Sequence, residues 1–360
     1  MLIGVLVVAL LLAVPVPAHS SESPAPVRAN RQLGMPATDP GQGRTDPDQA
    51  RPLQWLLHAQ GQDGGWGPEA NTKPDVATTS LSGIALLRLG HTPSTGEHRE
   101  SARKALMFVI RAVERSPGPE EFIEPEGTLP QRKLGRGIDT FLAAQFLGET
   151  VKLMPAGEDR RRASAALELC VSKIQSAQRK DGSFSKDGWA PVLSSAFAAN
   201  GLYAAKDVGA SVSPGSLARA EDYMMKGYDS KSKTFRTADS AGVALYQAAG
   251  ELGMAARAGT LNEAPAVAAR AHLADEAFVR GFGTYGGEEH VSYMLSTEAF
   301  AKAGGEDWTK WSKSIRMRLS AIQREDGTWR GDHCITSTSF CTAASLITLA
   351  IHPTTVRQQM

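Results

Sequence analysis

Gln60-Gly61-Gln62-Asp63-Gly64-Gly65-Trp66-Gly67 returns twice further along the chain, as Gln178-Arg179-Lys180-Asp181-Gly182-Ser183-Phe184 and as Gln323-Arg324-Glu325-Asp326-Gly327-Thr328-Trp329. The shared phrase is Gln-x-x-Asp-Gly-small-aromatic. Each copy follows an amphipathic stretch and precedes an apolar one rich in small residues. The phrase has a physical reading as a turn. The preceding helix ends near Gln, and Asp-Gly reverses the chain because Gly takes positive φ without a Cβ clash. The aromatic then packs back on the helices it joins.

The stretches after the turns resemble one another. Thr79–Gly90, Thr140–Val151, Ser194–Ala205, Asp239–Gly250, Ser292–Ala303 and Thr338–Ala350 are rich in Ala, Leu and Gly and poor in charge. Ser101–Glu114, Arg162–Gln178, Leu217–Gly227, Val267–Val279 and Trp308–Gln323 carry more charge. A helix apolar nearly all round belongs inside, and an amphipathic one outside. Repetition every roughly 45–60 residues marks a repeat architecture. An open stack needs polar caps at its ends, and no clear pair is present. The expectation is an all-α (α/α)6 toroid of six helix-pair repeats over residues 49–353. No β-period alternation competes with it.

The flanks read differently. Leu2 to Val14 is an almost unbroken apolar run, followed by Pro15, Pro17 and Ala18-His19-Ser20. That is a signal-peptide pattern over residues 1–20, although no Lys or Arg precedes it. It predicts an exported protein, periplasmic or secreted, with no integral membrane domain after cleavage. A retained anchor is the competing reading. Residues 21–48 are rich in Pro, Gly, Ser, Asp and Arg and predict a disordered linker; 354–360 form a tail. Composition is that of a soluble globular chain, with 42% hydrophobic and 21% charged residues among 360. A net charge of +1 without a basic block excludes nucleic acid as the expected partner. Cys170, Cys334 and Cys341 read as free thiols. On one continuous helix, Cys334 and Cys341 lie about 10 Å apart by helical rise, too far to bridge.

The Gln-x-x-Asp-Gly-x-Trp phrase resembles the QW-type repeat of the prenyltransferase and squalene oxidase (terpenoid cyclase) superfamily. That resemblance implies a toroid with a central cavity. It speaks for fold more than function, because the phrase is structural glue. Type II cyclases of the family carry Asp-x-Asp-Asp, whose central acid protonates the substrate. The nearest match here is Asp75-Val76-Ala77-Thr78-Thr79, with Ala77 in the central place, so the resemblance does not extend to that proton transfer. Prenyltransferase β subunits of the family bind zinc through Asp-x-Cys and a His. The corresponding positions read Glu288-Glu289-His290 and Ser337, with Asp332-His333-Cys334 close to the second. Glu288, His290, Asp332, His333 and Cys334 are thus the candidate metal ligands, with zinc the possible metal.

In a toroid the inner helices run parallel, and their N-termini gather at one electropositive mouth. Asp75, Asp139 and Asp239 open inner stretches and are the candidate catalytic acids; N-capping is their competing role. Thr79, Arg136, Thr140 and Tyr293 are the candidate ligand contacts. Pro117 to Gly137 is an insertion of the length used for binding loops and lids. Gly281 to Gly287 replaces the turn phrase in the fifth repeat. Three functions follow. The first is a cavity that binds or acts on an apolar, isoprenoid- or lipid-like small molecule. The second is an extracytoplasmic carbohydrate-active enzyme on an (α/α)6 toroid. The third is a non-catalytic protein-interaction module. An aromatic content of 6% leaves few sugar platforms and weighs against the second.

Overall fold

The computed structural model describes residues 47–184, 187–280 and 283–352. The expected signal peptide, most of the linker, the C-terminal tail and the first two residues of the glycine-rich turn lie outside these. Among the described residues fourteen helices follow in chain order: α1 (Pro47–Ala59), α2 (Val76–Arg88), α3 (Arg99–Glu114), α4 (Leu129–Leu134), α5 (Ile138–Val151), α6 (Glu158–Ala177), α7 (Pro191–Lys206), α8 (Pro214–Met225), α9 (Ala244–Ala258), α10 (Ala264–Leu273), α11 (Glu276–Val279), α12 (Gly287–Ala303), α13 (Gly305–Ala321) and α14 (Thr338–Ala350). One two-stranded hairpin, Tyr228–Asp229 with Thr234–Phe235, and a one-turn 3-10 helix at Ala238–Ser240 precede α9. Among the described residues no helix is long and apolar enough to cross a membrane.

Burial sorts the helices as charge predicts. All fourteen residues of α5 are buried, and Val76–Leu87 of α2 are buried without a break. The outer α3 buries only the stripe Ala102, Ala105, Leu106, Val109, Ile110, Ala112 and Val113. The inner helices touch in the order α2, α5, α7, α9, α12, α14, and α14 packs on α2 again. The ring is therefore closed. Every inner helix is entered from an outer one, so all six run the same way. Glycines set the closest inner contacts: a Cβ at Gly148 meets the Ala204 carbonyl carbon at 2.7 Å, and one at Gly201 meets the Phe141 carbonyl oxygen at 2.8 Å.

The three turn phrases adopt one geometry. Gly61, Arg179 and Arg324 donate their N–H to the carbonyls of Gly65, Ser183 and Thr328, at 2.8–2.9 Å. Asp63, Asp181 and Asp326 each accept from the N–H two residues on. Gln60, Gln178 and Gln323 donate to the carbonyls of Gly64, Gly182 and Gly327, which have φ of 95°, 96° and 85°. Each aromatic N–H then binds a hydroxyl of the following inner helix: Trp66 to Thr79, Phe184 to Ser195, Trp329 to Thr342. Gly64 abuts Lys104 of α3 and Gly182 abuts Arg219 of α8, the next outer helix in each case. Gly327 abuts Arg51 of α1. The last turn thus treats the first helix as its next neighbour, and the circle closes.

The end of the ring at the inner C-termini is sealed by charge. Arg88 of α2 grips Glu149 of α5 with two bonds of 2.5 and 3.0 Å and reaches Glu298 of α12 at 2.8 Å. Arg257 of α9 lies 3.5 Å from Glu149 and 3.8 Å from Glu298. Two cations and two anions alternate in a cycle at helix ends whose dipoles favour cations. Burial alone would raise the Glu149 carboxyl, yet the attraction of Arg88 wins and holds it down to about 2. Chemistry is left the other end.

Candidate functional site at the mouth of the ring

Two groups of acids stand at the N-terminal end, on opposite sides of the ring. The first joins α2 and α5. Asp75 caps α2, accepting from the N–H and hydroxyl of Thr78. Asp139 accepts from the N–H of Ile123, Glu124 and Thr140 and from the Gln131 amide. Glu124, from the insertion, accepts from the Val76 N–H at 2.9 Å. Burial pushes the three carboxyls up, to about 6 for Asp75, 7 for Asp139 and 8 for Glu124, against the donors that pull them down. These acids anchor the insertion. Its helix α4 lies against α2, α5 and α7 and partly roofs the mouth.

The second group forms where α9, α12 and the loop before α14 meet. That loop is strapped to the start of α12: Asp332 N–H donates to the Tyr285 carbonyl at 2.6 Å and Gly287 N–H to the Ile335 carbonyl at 2.9 Å. Gly286 is required here, because a Cβ would stand 2.9 Å from the His333 carbonyl oxygen. The strap sets His333 and Cys334 over Glu288 and Glu289. Cys334 is held at φ 52°, a strained conformation for a residue with a Cβ. Glu289 accepts from the Tyr246 hydroxyl at 2.5 Å and from the Gly286 N–H at 2.7 Å, and His333 Nε2 lies 3.9 Å from it. Glu288 accepts from the Ile335 N–H at 3.4 Å. Its other oxygen has no hydrogen-bond partner from nitrogen or oxygen among the described residues.

Electrostatics divides the two glutamates. They are 2% and 0% exposed, so burial raises both carboxyls, and each discourages the other from ionising. Glu289 has the Tyr246 hydroxyl and the α12 N-terminus to stabilise a negative charge. Glu288 has fewer donors, and burial with its charged neighbour pushes it up to about 7. Both carboxyls are thus raised, and the donors around Glu289 make it the one that ionises first, the ordering that general acid and base work requires. Tyr246 is pushed well above the usual phenol range by burial and by Glu289, so it stays a donor.

A cleft of about 570 Å³ adjoins the strap, lined by Tyr285, Ile322, Arg324, Arg330, Gly331, Asp332 and Thr336. Another of about 510 Å³ lies beside Asp75 and Glu124, under the insertion.

The expected site residues fall into three sets. Asp75, Thr79, Asp139, Thr140 and Arg136 gather around the insertion: Thr79 binds Trp66, Thr140 binds Asp139, and the Arg136 guanidinium lies 4.2 Å from the centre of the Phe122 ring. Asp239 stands apart in the 3-10 helix, accepting from Tyr223. Tyr293 is buried facing α11, its hydroxyl 3.4 Å from the Val279 carbonyl. Of the proposed metal ligands, His333 and Cys334 neighbour Glu288, but the three side chains do not converge as a metal site. His290 turns instead to Ser345 of α14 at 2.9 Å, and Asp332 turns to the Tyr285 N–H at 3.3 Å. Among the described residues no three His, Cys, Asp or Glu side chains converge to hold a metal ion. All three cysteines are free. Glu289 and Tyr246 were absent from the expected site. The acidic doublet Glu288-Glu289 opening a buried helix was the signal available for Glu289.

No protein-family model matches the chain, and no curated protein is similar to it in sequence. Solved structures share its fold. An inactive double Asp-to-Asn variant of the α-1,6-mannanase GH76A of Salegentibacter sp. HEL1_6, in complex with α-1,6-mannotriose, is 10% identical over 84% of this chain and 98% of its own, with a TM-score of 0.57. The type II terpene cyclase MstE from Scytonema is similar in two complexes. With its product it is 15% identical over 84% of this chain and 95% of its own, TM-score 0.55. With its substrate, geranylgeranyl dihydroxybenzoate, it is 14% identical over 86% and 96%, TM-score 0.53. The chain thus has the toroid fold of the terpenoid cyclases, a fold that the mannanase shares.

Proposed function

We propose that this chain is an exported acid–base enzyme acting at the mouth of its toroid on a hydroxyl-rich substrate, a glycan. The observation that carries this is the Glu288–Glu289 pair, two buried carboxyls in unequal surroundings, backed by Tyr246 and faced by His333. Glu288 donates a proton to the leaving oxygen as the glycosidic C–O bond breaks. Glu289, oriented by Tyr246, takes the proton of the water whose oxygen bonds to the anomeric carbon. The cleft beside the strap, which Glu288 and Glu289 do not themselves line, is polar, with two arginines, an aspartate and a tyrosine, and has the size of a small-ligand site. The mannanase of like fold, inactive when its two neighbouring aspartates are replaced, is a second support for a paired-acid glycosidase. Export rests on the apolar run of residues 2–14 alone.

The test is release of reducing ends from α-1,6-mannan and from a panel of other glycans. Glu288→Gln and Glu289→Gln are each expected to lower kcat by about 10²–10⁴ with unchanged circular dichroism. Wild-type activity is expected to fall as pH rises through about 7, where Glu288 loses its proton. Full activity in Glu288→Gln, or no cleavage of any glycan by the wild type, contradicts the reading.

The isoprenoid-like ligand keeps one observation in its favour, the inner helices rich in Ala, Leu and Phe in a fold shared with a terpene cyclase. Organic extraction of the purified protein followed by mass spectrometry tests it, and a co-purifying isoprenoid favours it over the glycan.

A further inference from the structure

The chain has six tryptophans. Trp66, Trp308, Trp311 and Trp329 are buried, and Trp55 packs against the core. Trp189 is 60% exposed. An indole carries a large, rigid apolar face. Trp189 is not part of the hydrophobic core. Its backbone N–H donates to the Lys133 carbonyl at 2.8 Å, a bond any residue but proline can make.

Its place is specific. Trp189 belongs to the short segment between the second turn phrase and α7, so it stands at the mouth. The insertion holds it there: Lys133 of α4 sets its ammonium 5.0 Å from the ring centre, and Gly188 lies so close to Leu134 and Gly135 that a Cβ would meet their backbone at 2.5–2.6 Å. Lys133 is also near enough to Cys334 for its charge to act on that thiol. Trp189 and Lys133 thus stand at the same end of the ring as Glu288 and Glu289.

We infer that Trp189 is a sugar-stacking platform, a specificity-determining residue for the site at Glu288 and Glu289; this rests on the glycan reading above. A pyranose ring has a face of polarised C–H bonds, which suits the negative face of an indole, while its hydroxyls remain free for polar partners. Lys133 supplies one donor beside the platform. A ring stacked on Trp189 lies one or more units from the bond held at Glu288, so the substrate class is an oligo- or polysaccharide rather than a single sugar.

The experiment is equilibrium binding of the full chain to an array of defined mannans, glucans and xylans, with wild type, Trp189→Ala and Trp189→Phe compared. The wild type is expected to bind one glycan class. Trp189→Ala should bind it at least about tenfold more weakly, and Trp189→Phe should fall between. Equal binding by wild type and Trp189→Ala overturns the platform and leaves the acid–base site standing. Failure of the wild type to bind any glycan overturns the platform too. In that case the protonation of Glu288, measured without ligand, still judges the acid–base pair separately.

Discussion

Arg88→Ala is expected to destabilise the protein by about 3–5 kcal/mol, read as a lower urea midpoint. Breaking a buried ion pair by removing one partner leaves the other charge in low dielectric without compensation. Here Arg88 is 11% exposed and serves two carboxylates, Glu149 at 2% and Glu298 at 17%. Without it, Arg257 alone must balance both, from 3.5 and 3.8 Å. The double variant Arg88→Met with Glu149→Leu removes one charge of each sign and leaves Arg257 to Glu298. It is expected to cost less than Arg88→Ala, because a buried pair replaced by apolar volume is often neutral. A loss below about 1 kcal/mol for Arg88→Ala would show that the charge cycle does not close the ring.

Trp329→Ala is expected to cost about 3–5 kcal/mol as well, from the cavity left by a fully buried indole. Trp329 is 1% exposed. Its indole N–H donates to the Leu319 carbonyl at 2.8 Å and its backbone N–H to Thr342 at 3.1 Å, so it ties α13 to α14. The same turn seats α1, through Gly327 against Arg51, so the loss should appear first as faster hydrogen exchange in α1 and α14. Trp329→Phe should cost about 1–2 kcal/mol, the lost hydrogen bond plus a smaller ring. The second copy of the phrase already uses Phe184 there. If both variants cost the same, the hydrogen bond rather than the packing holds the turn.

These two sites differ in how visible they are from the chain alone. The turns are legible because their chemistry is local: Asp-Gly, a glutamine and an aromatic lie within seven residues, and each copy folds alike. The inner helices are legible because a helix enclosed on all sides cannot carry many charges. α14 runs over Thr338–Ala350, the span expected from its composition. α2, α5 and α7 begin two or three residues before the expected starts, and the two largest slips have separate causes. α9 begins at Ala244 rather than Asp239 because a hairpin and a 3-10 helix precede it. α12 begins at Gly287 rather than Ser292 because its first turn, Glu288-Glu289-His290, looks solvated and is buried.

The charge cycle could not be foreseen. Arg88, Glu149, Arg257 and Glu298 meet only once the ring has closed, and each alone reads as a polar residue at a helix end. The mouth is similar. Glu288, His333 and Cys334 were legible as a group through a family resemblance. Tyr246 was not, because it comes from the preceding repeat and reaches Glu289 only through the contact of α9 with α12. His290 shows the limit of adjacency: one residue past Glu289, it is turned about 100° around the helix and binds a different neighbour.

The central claim is that the mouth holds a carboxyl, Glu288, that keeps its proton until the pH reaches about 7. The direct measurement is a pH titration of carboxyl infrared absorption, taken as the difference between wild type and Glu288→Gln. A carboxyl whose folded pKa is raised keeps a proton that the unfolded chain releases. It stabilises the fold most at low pH, and that contribution fades as pH rises through the folded value. The account predicts a protonated-carboxyl band that is present at pH 6, disappears through a midpoint near 7 and is missing from the variant. A difference spectrum with no such band above pH 5 would mean that Glu288 is ionised like a surface glutamate, and the acid–base site would be lost with it.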